Sequence, residues 1–403
     1  MKIIGDGIHD DTAGIQEALD ERKSAVYLPA PSKHYLISKT LQIHSKQTLL
    51  LDRFTEIRLA PRSDCLMITN DNPTGSNEQI AIIGGIWNMD NQQQSPNPIA
   101  GMLGISRLSY DPHRYWGICM RFVNVRNFTL KSVTFRDPVT YCTQFARMEY
   151  FGIDDVTFDF QHYNPLPYNM DGIHLDGYCR FGSITNIKGV SNDDVVALNA
   201  DDMEGESPCF GPIEDIVIDG IYARDCHSAV RLLSSGSHVH RISISNVFGT
   251  YYQYGIGFTK FFISRKGMGD FDDIILKNIH CSKAPRHTHY LKDGGPVFPL
   301  VWCERDVKIG RLSIENFHRT EENVPIQSIG IDSGATVDSL MVSDASFKNL
   351  TNQNAHFLVN NGTIQSLVFN NVKMTAGSPD DKLIVDNGAI EECAGCTKAS
   401  VVS

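Results

Sequence analysis

Residues 128–135 read "FTLKSVTF" and residues 151–158 read "FGIDDVTF", so each stretch places a short apolar strand around a polar turn. Strand-like alternation with Asn or Asp at the turn, and no helical period between the stretches, excludes βαβ units. The pattern therefore predicts strands that recur along the chain. Seven further stretches repeat it: "GSITNIKG", "IVIDGIYA", "ISISNVFG", "IILKNIHC", "LSIENFHR", "LMVSDASF" and "LVFNNVKM".

The spacing of these stretches identifies the kind of repeat. Successive apolar anchors are 23, 31, 34, 26, 32, 38, 28 and 27 residues apart. Leucine-rich repeats and propellers need tighter periods or signatures of their own, whereas a parallel β-helix tolerates coils of unequal length. We therefore predict an all-β fold, one right-handed parallel β-helix domain over residues 1–403, with turn Asn side chains bonded in a ladder. The anchors are Leu130, Ile153, Ile184, Ile218, Ile244, Leu276, Ile314, Val342 and Phe369.

The N-terminal segment predicts a helix that covers the open first coil. Residues 10–22 form an amphipathic pattern, with Asp10 or Asp11 as the N-cap and with Ile15, Ala18 and Leu19 on one face. We assign residues 1–60 to this cap and the first coils. The composition of residues 88–117 indicates a polar loop insertion that can form one side of a cleft.

The charge and amino-acid composition of the chain limit its possible binding partners. The formal charge of −11 argues against non-specific binding to nucleic acid or to an anionic membrane, but it is compatible with an acidic sugar. No stretch approaches the roughly 18 apolar residues of a membrane span, and the start lacks a signal-peptide pattern. We expect a cytoplasmic protein unless a leader has been removed. Ten cysteines without framework spacing suggest reduced core thiols, and the oligomeric state is not predicted.

Two short motifs carry the candidate chemistry. "NMDGIHL" begins at Asn169 and "NDDVVAL" begins at Asn192, and each places an Asp before an apolar-x-apolar strand. Counting ten residues past successive anchors puts Asp194, Ser228 and Tyr254 at one position of neighbouring coils. Asp171 joins this column through its own pattern. We therefore expect Asp171 and Asp194 to face each other across one strand spacing, about 4.8 Å.

Asp193 lies beside this pair in the sequence, and His227 occupies its position on the following coil. Three neighbouring carboxylates repel one another, which favours protonation of one of them. Glycoside hydrolysis needs such a set, a protonated acid for the leaving oxygen and an ionised base for water. A turn ladder of Asp and Asn, or a bound cation, is the alternative interpretation.

The motifs resemble those of the polygalacturonase family of glycoside hydrolases, family 28. "NMDG", "NDD" and the His of "DCHSAV" are similar, in order, to its Asn-x-Asp, Asp-Asp and Gly-His-Gly motifs. "GDGIHDDTAGIQEALD" resembles the opening of many pectin-lyase-like β-helices. The resemblance implies that Asp193 is the general acid, that Asp171 and Asp194 hold and deprotonate the water with inversion, and that His227 tunes Asp193.

The resemblance also implies substrate contacts, although two motifs differ. Gly-His-Gly is Cys226-His227-Ser228 here, and the Arg-x-Lys that grips a substrate carboxylate has no clean match. Galacturonate specificity therefore stays open. No cofactor and no metal are predicted, and the expected partner is a carbohydrate, pectic or otherwise acidic. The predicted substrate-binding residues are Asn169, His174 (as a hydrogen-bonded support), Arg231, Lys260 and Arg265.

Two other functions are compatible with the fold. Polysaccharide lyases and uronate epimerases abstract a sugar proton with a basic residue, which the three Asp residues argue against. A tailspike-like β-helix that only binds glycans needs none of the three.

Overall fold

The protein is described here by a computed structural model that covers residues 2–99, 115–202, 210–260, 267–285 and 297–396, and the backbone of 401–402. The chain divides into two compact units. The first unit comprises residues 1–196 and 203–210, and the second comprises residues 197–202 and 211–403.

The first unit holds one helix and fifteen complete strands within the described residues. They are α1 Thr12–Asp20, β1 Ala25–Leu28, β2 Tyr35–Ile37, β3 Leu41–Ile43, β4 Gln47–Leu51, β5 Glu56–Leu59, β6 Ile68–Asn70, β7 Asn77–Ile83, β8 Ile86–Asn88, β9 Met120–Val123, β10 Val125–Lys131, β11 Thr134–Arg136, β12 Thr143–Ala146, β13 Glu149–Asp159, β14 Ile173–Leu175 and β15 Arg180–Gly189.

Strand β16, Asp194–Asn199, continues from the first unit into residues of the second. The strands that follow are β17 Ile213–Leu233, β18 His238–Thr259, β19 Gly269–Lys283, β20 Val301–Cys303, β21 Val307–Glu321, β22 Ile329–Ile331, β23 Thr336–Asn349, β24 Leu358–Asn360, β25 Thr363–Thr375, β26 Ile384–Asp386, β27 Ala389–Ala394 and β28 Val401–Val402.

Both units are wound as right-handed parallel β-helices, which confirms the predicted fold class. In the first unit three parallel ladders stack, and the third consists of β3, β6, β9, β12 and β14. The predicted anchors stack in register, with Leu130 opposite Ile153 and Ile153 opposite Ile184. In the second unit the six anchors from Ile218 to Phe369 form a continuous column.

The anchors pack in the interior because strand alternation turns every second side chain inward. Ile153, Ile184, Ile218 and Ile244 are fully buried. Full burial of a side chain of this size contributes about 1.5–3 kcal/mol, so a column of anchors stabilises each coil against the next.

The polar turn after each anchor has a specific backbone conformation. The residue two positions past the anchor has a positive φ, for example 56° at Asn246 and 54° at Asn278. Asn tolerates this left-handed region better than most residues. The side chains also form the predicted ladder, since Nδ2 of Asn278 donates to Oδ1 of Asn246 at 3.1 Å and Nδ2 of Asn316 donates to Oδ1 of Asn278 at 2.8 Å.

Helix α1 confirms the predicted N-terminal helix, and it packs against β3 with Ile15 and Leu19 buried. Asp11 occupies the N-cap position, but its carboxylate accepts the N–H groups of Ile4 and Gly5 instead of capping the helix. The carboxylate of Asp10 accepts the N–H of Thr12 at 2.9 Å.

Six of the seven free cysteines among the described residues are buried, in line with the prediction of core thiols. Cys393 and Cys396 differ, because they form a disulfide. In the described part of the chain, no helix combines the length and the apolar character that crossing a bilayer requires.

Candidate active site

The third ladder of the first unit brings two of the predicted carboxylates into register. The N–H of Gly172 donates to the carbonyl oxygen of Asp194 at 2.8 Å. In a parallel ladder this bond sets Gly172 opposite Val195 and therefore Asp171 opposite Asp194. The two residues lie on consecutive coils, about 4.8 Å apart along the ladder.

The third carboxylate lies next to Asp194. Asp193 occupies a bend immediately before β16 begins, so strict strand alternation does not send its side chain to the opposite face. One carboxylate oxygen of Asp193 lies within 4.8 Å of one of Asp194. Like charges at this distance favour a state in which the pair shares a proton.

These three carboxylates are buried. The exposed fractions are 1% for Asp171, 5% for Asp193 and 0% for Asp194. Segments outside the regular coils add side chains over the ladder, and the ring of Tyr141 stacks on His174 with centroids 4.2 Å apart. Tyr141 belongs to a buried cluster with Leu66, Ile99, Trp116 and Ile118.

Asp171 is held by a polar network that continues down the third ladder. The ladder aligns Arg121, Gln144 and His174 on one face. Nδ1 of His174 lies 2.9 Å from Oδ2 of Asp171, and its Nε2 lies 3.2 Å from Oδ1 of Asp176. Each contact needs one proton, so either the imidazole is doubly protonated or one carboxyl is protonated.

Gln144 extends the network. Its Nε2 donates to Oδ2 of Asp176 at 2.8 Å, and its Oε1 accepts from Nε of Arg121 at 2.7 Å. Sequence reasoning missed Arg121, Gln144 and Asp176. Asp176 could have been found, because a residue two positions after His174 on a strand shares its face.

The second carboxylate oxygen of Asp171, Oδ1, is not held by this network. Among the described residues, its Oδ1 is buried and has no hydrogen-bond partner. A buried carboxylate oxygen without a donor is costly, and it is commonly found where a water molecule or a substrate hydroxyl binds.

In the second unit, β17 carries two predicted residues. His227 is buried, and its Nδ1 lies 3.0 Å from Oγ of Ser228. Ser228 pairs with Tyr254, as the anchor register predicts. Arg231 is also buried, and its Nε donates to Oδ1 of Asn199 at 3.2 Å.

Lys260 lies at the end of β18, where its N–H donates to Oε2 of Glu304 at 2.7 Å. It lines a cavity of about 370 Å³ in the second unit. The indole of Trp302 stacks on Phe298 at 3.8 Å and donates to Oδ2 of Asp332 at 2.9 Å. Burial raises the pKa of Asp332 above its usual range. The cavity is therefore lined by two aromatic rings together with both acidic and basic side chains.

Two predicted substrate-binding residues remain, Asn169 and Arg265. Asn169 is half-exposed and has a φ of 56° in the turn before Asp171. Arg265 lies outside the described residues.

Comparison with known proteins supports the fold class. No protein-family model matches the chain, and no curated protein matches it. Solved structures that resemble it include the following three. The family 28 exopolygalacturonase of Yersinia enterocolitica is 14% identical, with a TM-score of 0.55 over 97% of this chain and 77% of that chain.

A tailspike protein mutant of Escherichia coli bacteriophage HK620, in complex with a hexasaccharide, is 12% identical. Its TM-score is 0.63 over 97% of this chain and 75% of the other. The A-module of the mannuronan C-5 epimerase AlgE6 of Azotobacter vinelandii is 12% identical, with a TM-score of 0.50 over 100% and 96% of the two chains. At these identities the likeness establishes a right-handed β-helix fold shared with these carbohydrate-related proteins.

Proposed function

We propose that the protein is an inverting glycoside hydrolase that cleaves an acidic, pectic-type polysaccharide or oligosaccharide. The observation that carries the proposal is the stacking of Asp171 and Asp194 on consecutive coils, with Asp193 beside Asp194. The neighbouring structures, one of them an exopolygalacturonase, supply a fold analogy.

In this mechanism Asp193 donates a proton to the leaving oxygen of the glycosidic bond. Asp171 accepts a proton from the attacking water through Oδ1, while its Oδ2 remains held by His174. An inverting enzyme needs about 6.5–9.5 Å between acid and base carboxyls. Asp171 and Asp193 lie on different coils and one residue off register, which lengthens their separation relative to that of Asp193 and Asp194.

Asp194 completes the proposed set in two ways. Its charge favours the protonated form of Asp193, and it stacks on Asp171, where it can hold the same water molecule. His227 is proposed to orient Asp193, as the register of the motifs predicts. Lys260, Arg231 and Arg265 are proposed contacts for a substrate carboxylate.

The test is a reducing-end assay on polygalacturonate, rhamnogalacturonan and host-glycan oligosaccharides with the wild type and Asp193→Asn. Loss of general-acid catalysis lowers kcat by about 10²- to 10⁴-fold. Asp338→Asn is the matched control, because this carboxylate pairs at the surface with Lys308 in the second unit. Full activity of Asp193→Asn, or an equal loss in both variants, contradicts the proposed role.

A second candidate function, glycan binding without catalysis, is favoured by the burial of the three carboxylates. It predicts that glycan binding survives in the variant in which Asp171, Asp193 and Asp194 are all changed to Asn, and that the wild type releases no reducing ends. Release of reducing ends by the wild type excludes it.

A further inference from the structure

The second unit carries a groove that the proposed catalytic residues do not use. The groove has a volume of about 590 Å³ and crosses several coils. We call it the basic groove, because each titratable side chain that lines it, apart from one cysteine, belongs to a histidine, an arginine or a lysine. Its lining includes His280, His318, Arg319, Thr320, Lys348 and Lys373.

A column of stacked rings leads into the basic groove. Parallel register places Tyr222, Phe248, His280 and His318 on successive strands. The ring centroids are 5.5, 5.2 and 5.1 Å apart along this column, and the first two pairs are within 6° of parallel. Because Tyr222, Phe248 and His280 stack face to face, their edges point outward, and the C–H edges of Tyr222 and Phe248 are the positive ends of those rings.

The exposed lysines of the basic groove lie on the next two strands: Lys373 continues the column of rings through Ser346, and Lys348 lies two residues along the strand from Ser346. Ser346 pairs with Lys373, and Lys348 pairs with Thr375. Both lysines are exposed, and among the described residues neither has a carboxylate within 4.0 Å. Arg319 differs, since its guanidinium is buried and bound to Glu321. Burial and the neighbouring His318 hold the pKa of His280 below its usual range, which leaves the two lysines as the exposed positive charges.

We infer that the basic groove is a second binding site for the chain of an acidic polysaccharide. It is formed by residues other than the proposed catalytic carboxylates. On a molecule with a formal charge of −11, two exposed lysines without acidic partners form a local site for anions. Ring edges and the hydroxyls of Thr320 and Thr375 extend this surface across neighbouring coils, which suits an extended chain with regularly spaced carboxylates. The inference rests on the proposed function for the identity of the ligand.

The experiment measures binding of polygalacturonate by titration calorimetry at low salt, in an Asp193→Asn background that suppresses turnover. The groove variant is Lys348→Gln/Lys373→Gln. The matched control is Lys277→Gln/Lys308→Gln, which removes the same charge from outward lysines that pair with Glu315 and Asp338. Two exposed charge contacts predict about three- to tenfold weaker binding in the groove variant only, and the difference should shrink in high salt.

A turnover assay distinguishes a failure of the groove inference from a failure of the proposed function. The same lysine variants, with Asp193 intact, should turn over a short oligogalacturonide at the wild-type rate. This assay reports on the proposed catalytic carboxylates and not on the basic groove. If turnover is present but the groove and control variants bind the polymer equally, the basic groove is refuted and the proposed function stands. If the wild type never turns over but binding still depends on Lys348 and Lys373, the proposed function fails and the anion site stands. Equal lysine-dependent binding of a single-stranded DNA oligonucleotide overturns the polysaccharide assignment.

Discussion

Replacing His174 with Ala should destabilise the protein through the two carboxylates that the imidazole holds. Asp171 and Asp176 are 1% and 0% exposed, and each has one oxygen within 3.2 Å of a ring nitrogen of His174. Without the imidazole, buried negative charge remains without its partner. Breaking a buried ion pair by removing one member costs about 3–5 kcal/mol, and we expect a loss in this range.

Urea unfolding near neutral pH measures this loss, provided that the slope against urea stays unchanged. The control is His9→Ala, because His9 makes a similar contact with Asp6 at 2.7 Å but the two side chains are 64% and 29% exposed. A surface pair contributes at most about 1 kcal/mol, so this control should change stability little.

A double variant sharpens the test. In the His174→Ala background, Asp176→Asn removes one uncompensated charge, so the double variant should be more stable than His174→Ala alone. A loss of less than about 1 kcal/mol for His174→Ala, or losses of the two single variants that simply add, would show that the imidazole does not stabilise the two carboxylates.

Two further predictions concern the coils. The guanidinium of Arg53 and the ammonium of Lys188 hold the pKa of Asp155 well below its usual range. This stabilisation is therefore complete above about pH 5 and is lost progressively as the pH falls from the ordinary Asp value of about 3.9 towards the lowered pKa of the folded protein. Wild type and Asp155→Asn should therefore differ most in unfolding free energy at pH 7, and the difference should shrink steadily between about pH 4 and pH 2; a difference independent of pH contradicts this. Asn278→Ala should cost about 1–3 kcal/mol, because it loses the bond to Asn246 and strains a residue with a φ of 54°. Asn278→Gly, which tolerates this φ, should cost less in the same thermal unfolding assay, and equal losses would show that the backbone conformation does not matter.

The fold was predictable because the determinants of a coil lie within a few residues of one another. The alternation around Ile244 and the turn at Asn246 set strand and corner locally, and each later coil repeats them. The stacking of Ser228 on Tyr254 followed from counting ten residues past the anchors.

The surroundings of the carboxylates were not predictable in the same way. His174, which holds Asp171, is covered by the ring of Tyr141, and Tyr141 comes from an irregular segment whose path has no repeat. The network through Gln144 and Arg121 depends on which residues stack, and this register follows from coil lengths that only the structure supplies.

Proton NMR of the first product formed from an oligogalacturonide shows whether hydrolysis inverts the anomeric configuration, as a mechanism with Asp193 as the acid requires. We expect the new reducing end to appear first as the anomer of inverted configuration, after which mutarotation mixes the anomers. A first product of retained configuration, or an unsaturated uronate, contradicts it.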